Sequence, residues 1–206
     1  MSNEICDPRR RDFLKGVVIG AGGFAFGSVL IHPKQAMGQS IEGYLEKVPM
    51  EARWDIASGA YRNYTVNYFK TLYDQGGKEK FLEFMKQQGQ RARAGYKGLA
   101  DRFGFTGDDA KSAAAIIPAI VTLGFGPQHK CEIEEATAEK ARVKCVNCAF
   151  WNAAQAMKIT DDLCSPWSQY AWEGRAKAIN PKLTSTLVKA RPRGDSICEW
   201  VIELQA

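Results

Sequence analysis

The residues of this chain that carry the most chemistry are cysteines. Cys145-Val146-Asn147-Cys148 forms a C-x-x-C pair, with Cys131 before it and Cys164 and Cys198 after it. At that spacing two sulfurs can reach one metal ion, or one thiolate can attack beside the other. A further cysteine, Cys6, stands near the N-terminus, apart from these five. Cys6 falls in a segment that reads below as a removable leader, so the expected mature count is five. That is an odd number, and at least one thiol is free, ligated or modified. Histidine is scarce, with only His32 and His129 present. That inventory argues against a Ser/His/Asp triad and against a multi-histidine metal site. It leaves Asp161, Asp162, Asp195, Glu199 or a second thiol as bases for thiolate chemistry.

The elements that must position these sulfurs can be read from periodicity. Trp54, Ala57, Tyr61, Tyr64, Tyr68 and Leu72 recur at three and four residues, the stripe of one helix, which Asp74-Gln75-Gly76-Gly77 ends. Phe81, Phe84, Met85, Ala92, Tyr96, Leu99 and Phe103 mark a second. A third, Ala110 to Leu123, has Thr106 or Asp108 as its expected cap and a kink or restart at Pro118. After the breaker Gly124-Phe125-Gly126-Pro127 the pattern changes to alternation. Cys131 and Ile133, then Val143 and Cys145, predict two strands around a turn near Ala138. A hairpin centred there sets Cys131 opposite Cys145, with Cβ atoms about 4.5–5.5 Å apart. A disulfide prefers roughly 3.5–4.5 Å, so this pair is a candidate for closure. Helical signals return from Ala149 to Met157 and from about Ser165 to Ile179, with Ser165 as cap and Pro166 at the first helical position. Two further strands close the chain around Pro192-Arg193-Gly194-Asp195. The second carries Cys198, Trp200, Ile202 and Leu204 on one face, which reads Cys198 as core. The expected fold is α+β: a helical N-terminal half, then a ββ-α-α-ββ unit with a small antiparallel sheet.

Cys148 falls where a strand passes into a helix, and Cys164 beside a helix start. Exposed N–H groups and the helix dipole favour a thiolate at such places. Cys148 and Cys164 are therefore the candidate reactive sulfurs, sharing a cavity with Asp195 or Trp167 on its wall.

The N-terminus reads as a twin-arginine export signal. Arg9-Arg10-Arg11-Asp12-Phe13-Leu14-Lys15 is its basic region, Gly16 to Ile31 a Gly-rich apolar run, and Ala36-Met37-Gly38 a small-residue cleavage site. Residues 1–38 are the expected signal peptide and 39–206 a single domain. The twin-arginine translocase is then a partner during export, and the working protein is periplasmic or otherwise extracytoplasmic. Disulfides are permitted there. The leader takes five of the 28 Lys and Arg and three of the 23 Asp and Glu, leaving a mild positive balance. No basic run interleaved with aromatics points to nucleic acid. No stretch after residue 40 is apolar enough to span a membrane once the leader is removed.

From Lys144 to Leu204 the chain resembles the L-2-amino-thiazoline-4-carboxylic acid hydrolase family. Cys145-Val146-Asn147-Cys148, Leu163-Cys164 and Gly194-Asp195-Ser196-Ile197-Cys198-Glu199-Trp200 carry the likeness, in that order. The closing segment is also similar to that of vinyl-reductase-type ligand-binding domains, which end in a comparable Gly-Asp-x-x-Cys-aromatic hairpin. One departure is Ser165-Pro166-Trp167 after Cys164, in place of an early acidic residue. The resemblance implies a cysteine-dependent hydrolase acting on a small cyclic C–N or C–S substrate, with Cys148, Cys164 and Asp195 as catalytic residues. Two alternatives use the same sulfurs. Cys145, Cys148, Cys164 and Cys198 can ligate an iron–sulfur cluster for electron transfer, or hold zinc in a ligand-binding module.

Overall fold

The computed structural model describes residues 45–205. The export signal expected over residues 1–38 lies outside them. The fold is α+β, as the periodicities predict. Helix α1 (Met50–Arg102) is broken at Gly77, whose φ of 74° and ψ of 175° suit glycine. Then come α2 (Ala110–Phe125), the hairpin β1 (Lys130–Ala136) and β2 (Lys140–Asn147), α3 (Ala149–Ala156), α4 (Cys164–Ile179), β3 (Leu183–Lys189) and β4 (Cys198–Leu204). The four strands form one antiparallel sheet in the order β1-β2-β4-β3. Helix α2 packs on β1 and β2, α4 on β3, and α1 lies against α2, α3 and α4. Among the described residues no helix is long and apolar enough to cross a membrane.

The first arm of α1 corrects the sequence reading. Tyr61, Tyr64 and Tyr68, expected on the core face, are 51, 71 and 40 % exposed, while Ser58, Arg62, Thr65, Val66 and Phe69 are buried. The buried stripe is rotated because part of its work is polar. Arg62 donates to the Phe125 carbonyl and to Ser58 Oγ, 3.2 Å away. Trp54 Nε1 donates to Leu123 O at 3.0 Å. Together they satisfy carbonyls that the C-terminus of α2 leaves without helical partners. Gly126 fits beneath them at φ 89°, where a Cβ would meet Ser58 Oγ at 2.1 Å.

The second arm follows the prediction in its middle, where Phe81, Met85 and Tyr96 are buried and Phe84, Ala92 and Leu99 half-buried. It departs at its end, where Phe103 is exposed and Ala100 is buried instead. It crosses α4 in backbone contact, since a Cβ on Gly174 would come within 2.1 Å of Gly89 O. Helix α2 runs through Pro118 rather than restarting there. Its cap is Asp109, not Thr106 or Asp108, because Asp109 Oδ1 accepts from Ser112 N at 2.7 Å. At α4 the expected cap Ser165 is already helical. Asp162 Oδ1 accepts from Ser165 N at 2.9 Å, and Cys164 opens the helix.

In the first hairpin Cys131 pairs with Cys145, as a centre at Ala138 predicts. Irregularities at Lys130/Cys131 and Ile133/Glu135 shift the flanking pairs by one residue. Beyond it, β4 is an interior strand, and its first five residues, Cys198–Ile202, are all buried. Cys198, Trp200 and Ile202 belong to the core cluster. Between them Glu199 accepts from Arg142 and, at 2.9 Å, from Lys189 Nζ. Burial would raise the Glu199 carboxyl, but these two cations outweigh it and hold it below the usual range.

Candidate metal centre and adjoining cavity

The end of α2, the start of β1, the end of β2 and the start of α3 meet at one point. His129 is fixed there from both sides: its N–H donates to Gly126 O at 3.0 Å, and its carbonyl accepts from Thr122 Oγ1 at 3.4 Å. Asn147 Nδ2 donates to Gln128 O at 2.8 Å and ties the end of β2 to the same loop. Arg191 reaches across from the β3–β4 turn to donate to Val146 O at 2.6 Å.

This scaffold brings His129 among the sulfurs. Its Nε2 lies 3.4 Å from Cys131 Sγ and 3.7 Å from Cys145 Sγ. His129, Cys145 and Cys148 are all buried, with ligand atoms within 4.8 Å of one another, a group that could hold a metal ion. A tetrahedral zinc with Zn–N of about 2.05 Å and Zn–S of about 2.3 Å sets nitrogen and sulfur ligands ~3.6 Å apart. The two measured separations bracket that value. Cys131, opposed to Cys145 on β1, touches the same nitrogen from outside this three-residue group.

The thiol furthest along this group caps a helix. Cys148 Sγ accepts from Trp151 N at 3.4 Å, the N-cap position of α3. Hydrogen bonds from Cys145 and Cys164, with His129 beside it, hold Cys148 well below the ordinary thiol range despite burial. Cys131 is drawn down to about 6, first by the Cys145 thiol and then by His129, against the effect of burial. Cys145 and Cys164 shift upward, as neutral thiols that donate to Cys131 and Cys148. Burial pulls the His129 imidazole down, but contacts with Cys131 and Cys148 outweigh it and raise it to about 9. His129 and the lowered Cys131 and Cys148 thiols thus hold one another in an electrostatically linked group, with the Arg175 side chain on the wall of the adjoining cavity.

Next to this group is a cavity of about 20 Å³, lined by His129, Cys148, Cys164, Cys198 and aromatic rings. Its volume is on the order of one water molecule. Phe125, Phe150 and Trp167 meet there with centroids 5.1–6.1 Å apart. Trp172 and Trp200 stack at 4.2 Å with 9° between their planes. Two nitrogens of the lining, His129 Nδ1 and Trp200 Nε1, are buried without a hydrogen-bond partner. Cys198 Sγ accepts from Arg191 N at 3.5 Å, and burial pushes its thiol up to about 11.

Cys148, Cys164 and Trp167 thus share one cavity, and Cys198 joins them. Asp195 does not line it: that residue is exposed, and its carboxylate accepts from Ala190 N at 2.8 Å to hold the β3–β4 turn. The other carboxylates expected as bases are engaged elsewhere. Asp161 pairs with Lys70, Asp162 caps α4, and Glu199 points to Arg142 and Lys189. The compact donor group is also not the four sulfurs expected. Cys164 contacts Cys148, and Cys198 lines the adjoining cavity, while His129 joins Cys145 and Cys148 in the donor group. Scarcity made His129 easy to dismiss. Its signal was its position two residues before Cys131, which places both on the same side of an extended segment.

No protein family and no curated protein matches the chain. Solved structures do. One is the phenol-responsive sensory domain of the transcription activator PoxR with phenol, at 12 % identity and a TM-score of 0.55, covering 69 % of this chain and 74 % of that one. Another is a trafficking protein particle complex subunit 3 from Naegleria fowleri covalently bound to palmitic acid. It is 10 % identical with a TM-score of 0.54, and the match covers 72 % of this chain and 97 % of that one. At these identities the likeness is one of fold.

Proposed function

We propose that this protein is an exported small-molecule-binding module organised by a zinc-type centre at His129, Cys131, Cys145 and Cys148. The carrying observation is the buried group His129, Cys145 and Cys148, its ligand atoms within 4.8 Å of one another, with Cys131 Sγ 3.4 Å from the same His129 Nε2. The ion would neutralise the thiolates and tie β1, β2 and α3 together. The aromatic cavity beside it offers apolar surface and unpartnered nitrogens, the makings of a ligand pocket. The neighbours in fold are described with phenol and with palmitic acid, which accords with this reading. Export through the twin-arginine translocase as a folded protein with its ion installed would place the site in the periplasm.

Elemental analysis of protein purified under reductant tests the centre. One zinc per chain is expected, lost in Cys148→Ser and His129→Ala. A brown, iron-bearing preparation would instead support an iron–sulfur cluster.

Cysteine-dependent hydrolysis of a thiazoline-type ring is the second reading, favoured by Cys148 at the N-cap of α3 beside His129. The Cys148 sulfur would add to the amidine-like carbon, with the ring nitrogen taking a proton from His129. The ring C–S bond would then break, its sulfur leaving as the substrate's own thiol, and water would displace Cys148 from the same carbon to release the ring-opened urea. Turnover of L-2-amino-thiazoline-4-carboxylate by metal-free protein, lost in Cys148→Ser, would establish it. A ligated Cys148 cannot act as this nucleophile, so metal content and turnover decide between the readings.

A further inference from the structure

Trp167 belongs at once to the closed cavity and to the surface. On its inner side are Cys148, Cys164, Trp172 and Trp200. On its outer side an open groove of about 340 Å³ runs along the first arm of α1, walled by Tyr61, Tyr64, Tyr68 and Phe84. The tyrosines that the rotated stripe of α1 leaves outside the core form its wall. Tyr64 and Tyr68 lie parallel, 3° apart with centroids at 6.1 Å, and Phe84 meets Tyr68 edge-on at 6.1 Å. An aromatic patch of this kind on a surface helix marks a binding surface more often than an accident of composition.

The inner half has the complementary feature. Trp200 is 3 % exposed and His129 5 %, yet Trp200 Nε1 and His129 Nδ1 have no partner. Buried N–H groups are almost always satisfied, and an orphan on a cavity wall is a place for a ligand's acceptor. With Nε2 of His129 facing the sulfurs, Nδ1 is the nitrogen left for the cavity. The parallel tyrosines outside and stacked tryptophans inside present flat ring faces, which suit a planar guest better than an acyl chain.

We propose that groove and cavity are the outer and inner halves of one site for a planar aromatic molecule bearing an oxygen acceptor, with Trp167 as the door between them. The oxygen is held by the indole N–H of Trp200, assisted by His129 Nδ1, and the ring lies among Phe125, Phe150 and Trp172. The closed cavity holds about one water, so Trp167 must swing toward the groove to admit a ring. This rests on the ligand-binding half of the reading above and not on its metal.

The test uses the full chain with acetophenone and ethylbenzene, which match in shape and differ in the carbonyl. Calorimetry should find acetophenone bound at least about tenfold more tightly, as for a site that leaves a donor unpaired when the acceptor is missing. Acetophenone, and not ethylbenzene, should move the Trp200 indole N–H resonance in the unaltered protein. Trp167→Ala should raise association and dissociation rates together by about tenfold or more, with Kd changed far less. Equal affinity for the two probes, an unmoved Trp200 signal, or no binding of acetophenone overturns the proposal. Zinc measured on the same sample separates the two readings. Acetophenone binding without metal defeats only the metal centre, and zinc-loaded protein that ignores acetophenone defeats only this site.

Discussion

Cys198 and Glu199 are neighbours on β4, and the clusters they join on opposite faces of the sheet differ in one respect. Glu199 is buried, and both its oxygens are matched by Arg142 and Lys189. The sulfur cluster that Cys198 adjoins is largely buried as well, yet His129 Nδ1 and Trp200 Nε1 beside it have no partner. A polar group buried with its partners supplied by the same chain is explained by folding. One buried without them is explained by something the chain binds. The ionic triad is satisfied from within the chain, and the sulfur cluster is where we place the proposed function.

Removing the ion should separate the two clusters most sharply. A ligand held at a thousand times its Kd contributes about 4 kcal/mol. At roughly 2–4 °C per kcal/mol for a chain of this size, chelation should lower Tm by about 8–16 °C. Calorimetric scans with and without chelator check this, and an unchanged Tm would remove the metal from the account.

Breaking the triad should cost less. Glu199→Gln leaves the part-exposed Arg142 and Lys189 able to rehydrate, so the loss should fall near about 1.5–3 kcal/mol, the range for hydrogen bonds to a charged group. Its pH dependence carries a sign. The Glu199 carboxyl is held below the ordinary value of 4.5 in the folded state. Its contribution is therefore present above that value and lost as pH falls through the folded one. Urea midpoints measured from pH 6 to pH 3 should fall less steeply in Glu199→Gln, with metal content unchanged.

Thiol reactivity in metal-free protein at pH 7 should follow the same division. Iodoacetamide should label Cys131, half-buried and drawn down to about 6, before Cys198, buried and pushed up to about 11. Cys148 should also precede Cys198. Peptide mapping over time gives the order, and fastest labelling of Cys198 would reverse the electrostatic assignment.

Asp195→Ala should have the smallest effect, about 0.5–1.5 kcal/mol for one exposed turn hydrogen bond. Zinc content and acetophenone binding should not change. Loss of either would return Asp195 to the site.

Much of this was legible in the chain. Alternation predicted both hairpins, and centring the first on Ala138 predicted Cys131 opposite Cys145. Strand-to-helix spacing put Cys148 at a cap. These are local inferences, since period, turn and cap depend on residues a few positions apart. The face of α1 was not local. Hydrophobicity alone chose the tyrosine stripe, because nothing near Ser58 and Arg62 in sequence announces that they must satisfy the carbonyls of α2 more than sixty residues later. His129 lies beside Cys131 in the chain, but its value depends on Cys145 and Cys148 arriving from β2 and α3. By itself, then, the sequence determined the elements, their order and which sulfurs face one another. Tertiary structure decided which of them share a nitrogen, which carboxylates are engaged elsewhere, and which buried N–H groups remain unpaired, because those depend on distances between segments that only packing sets.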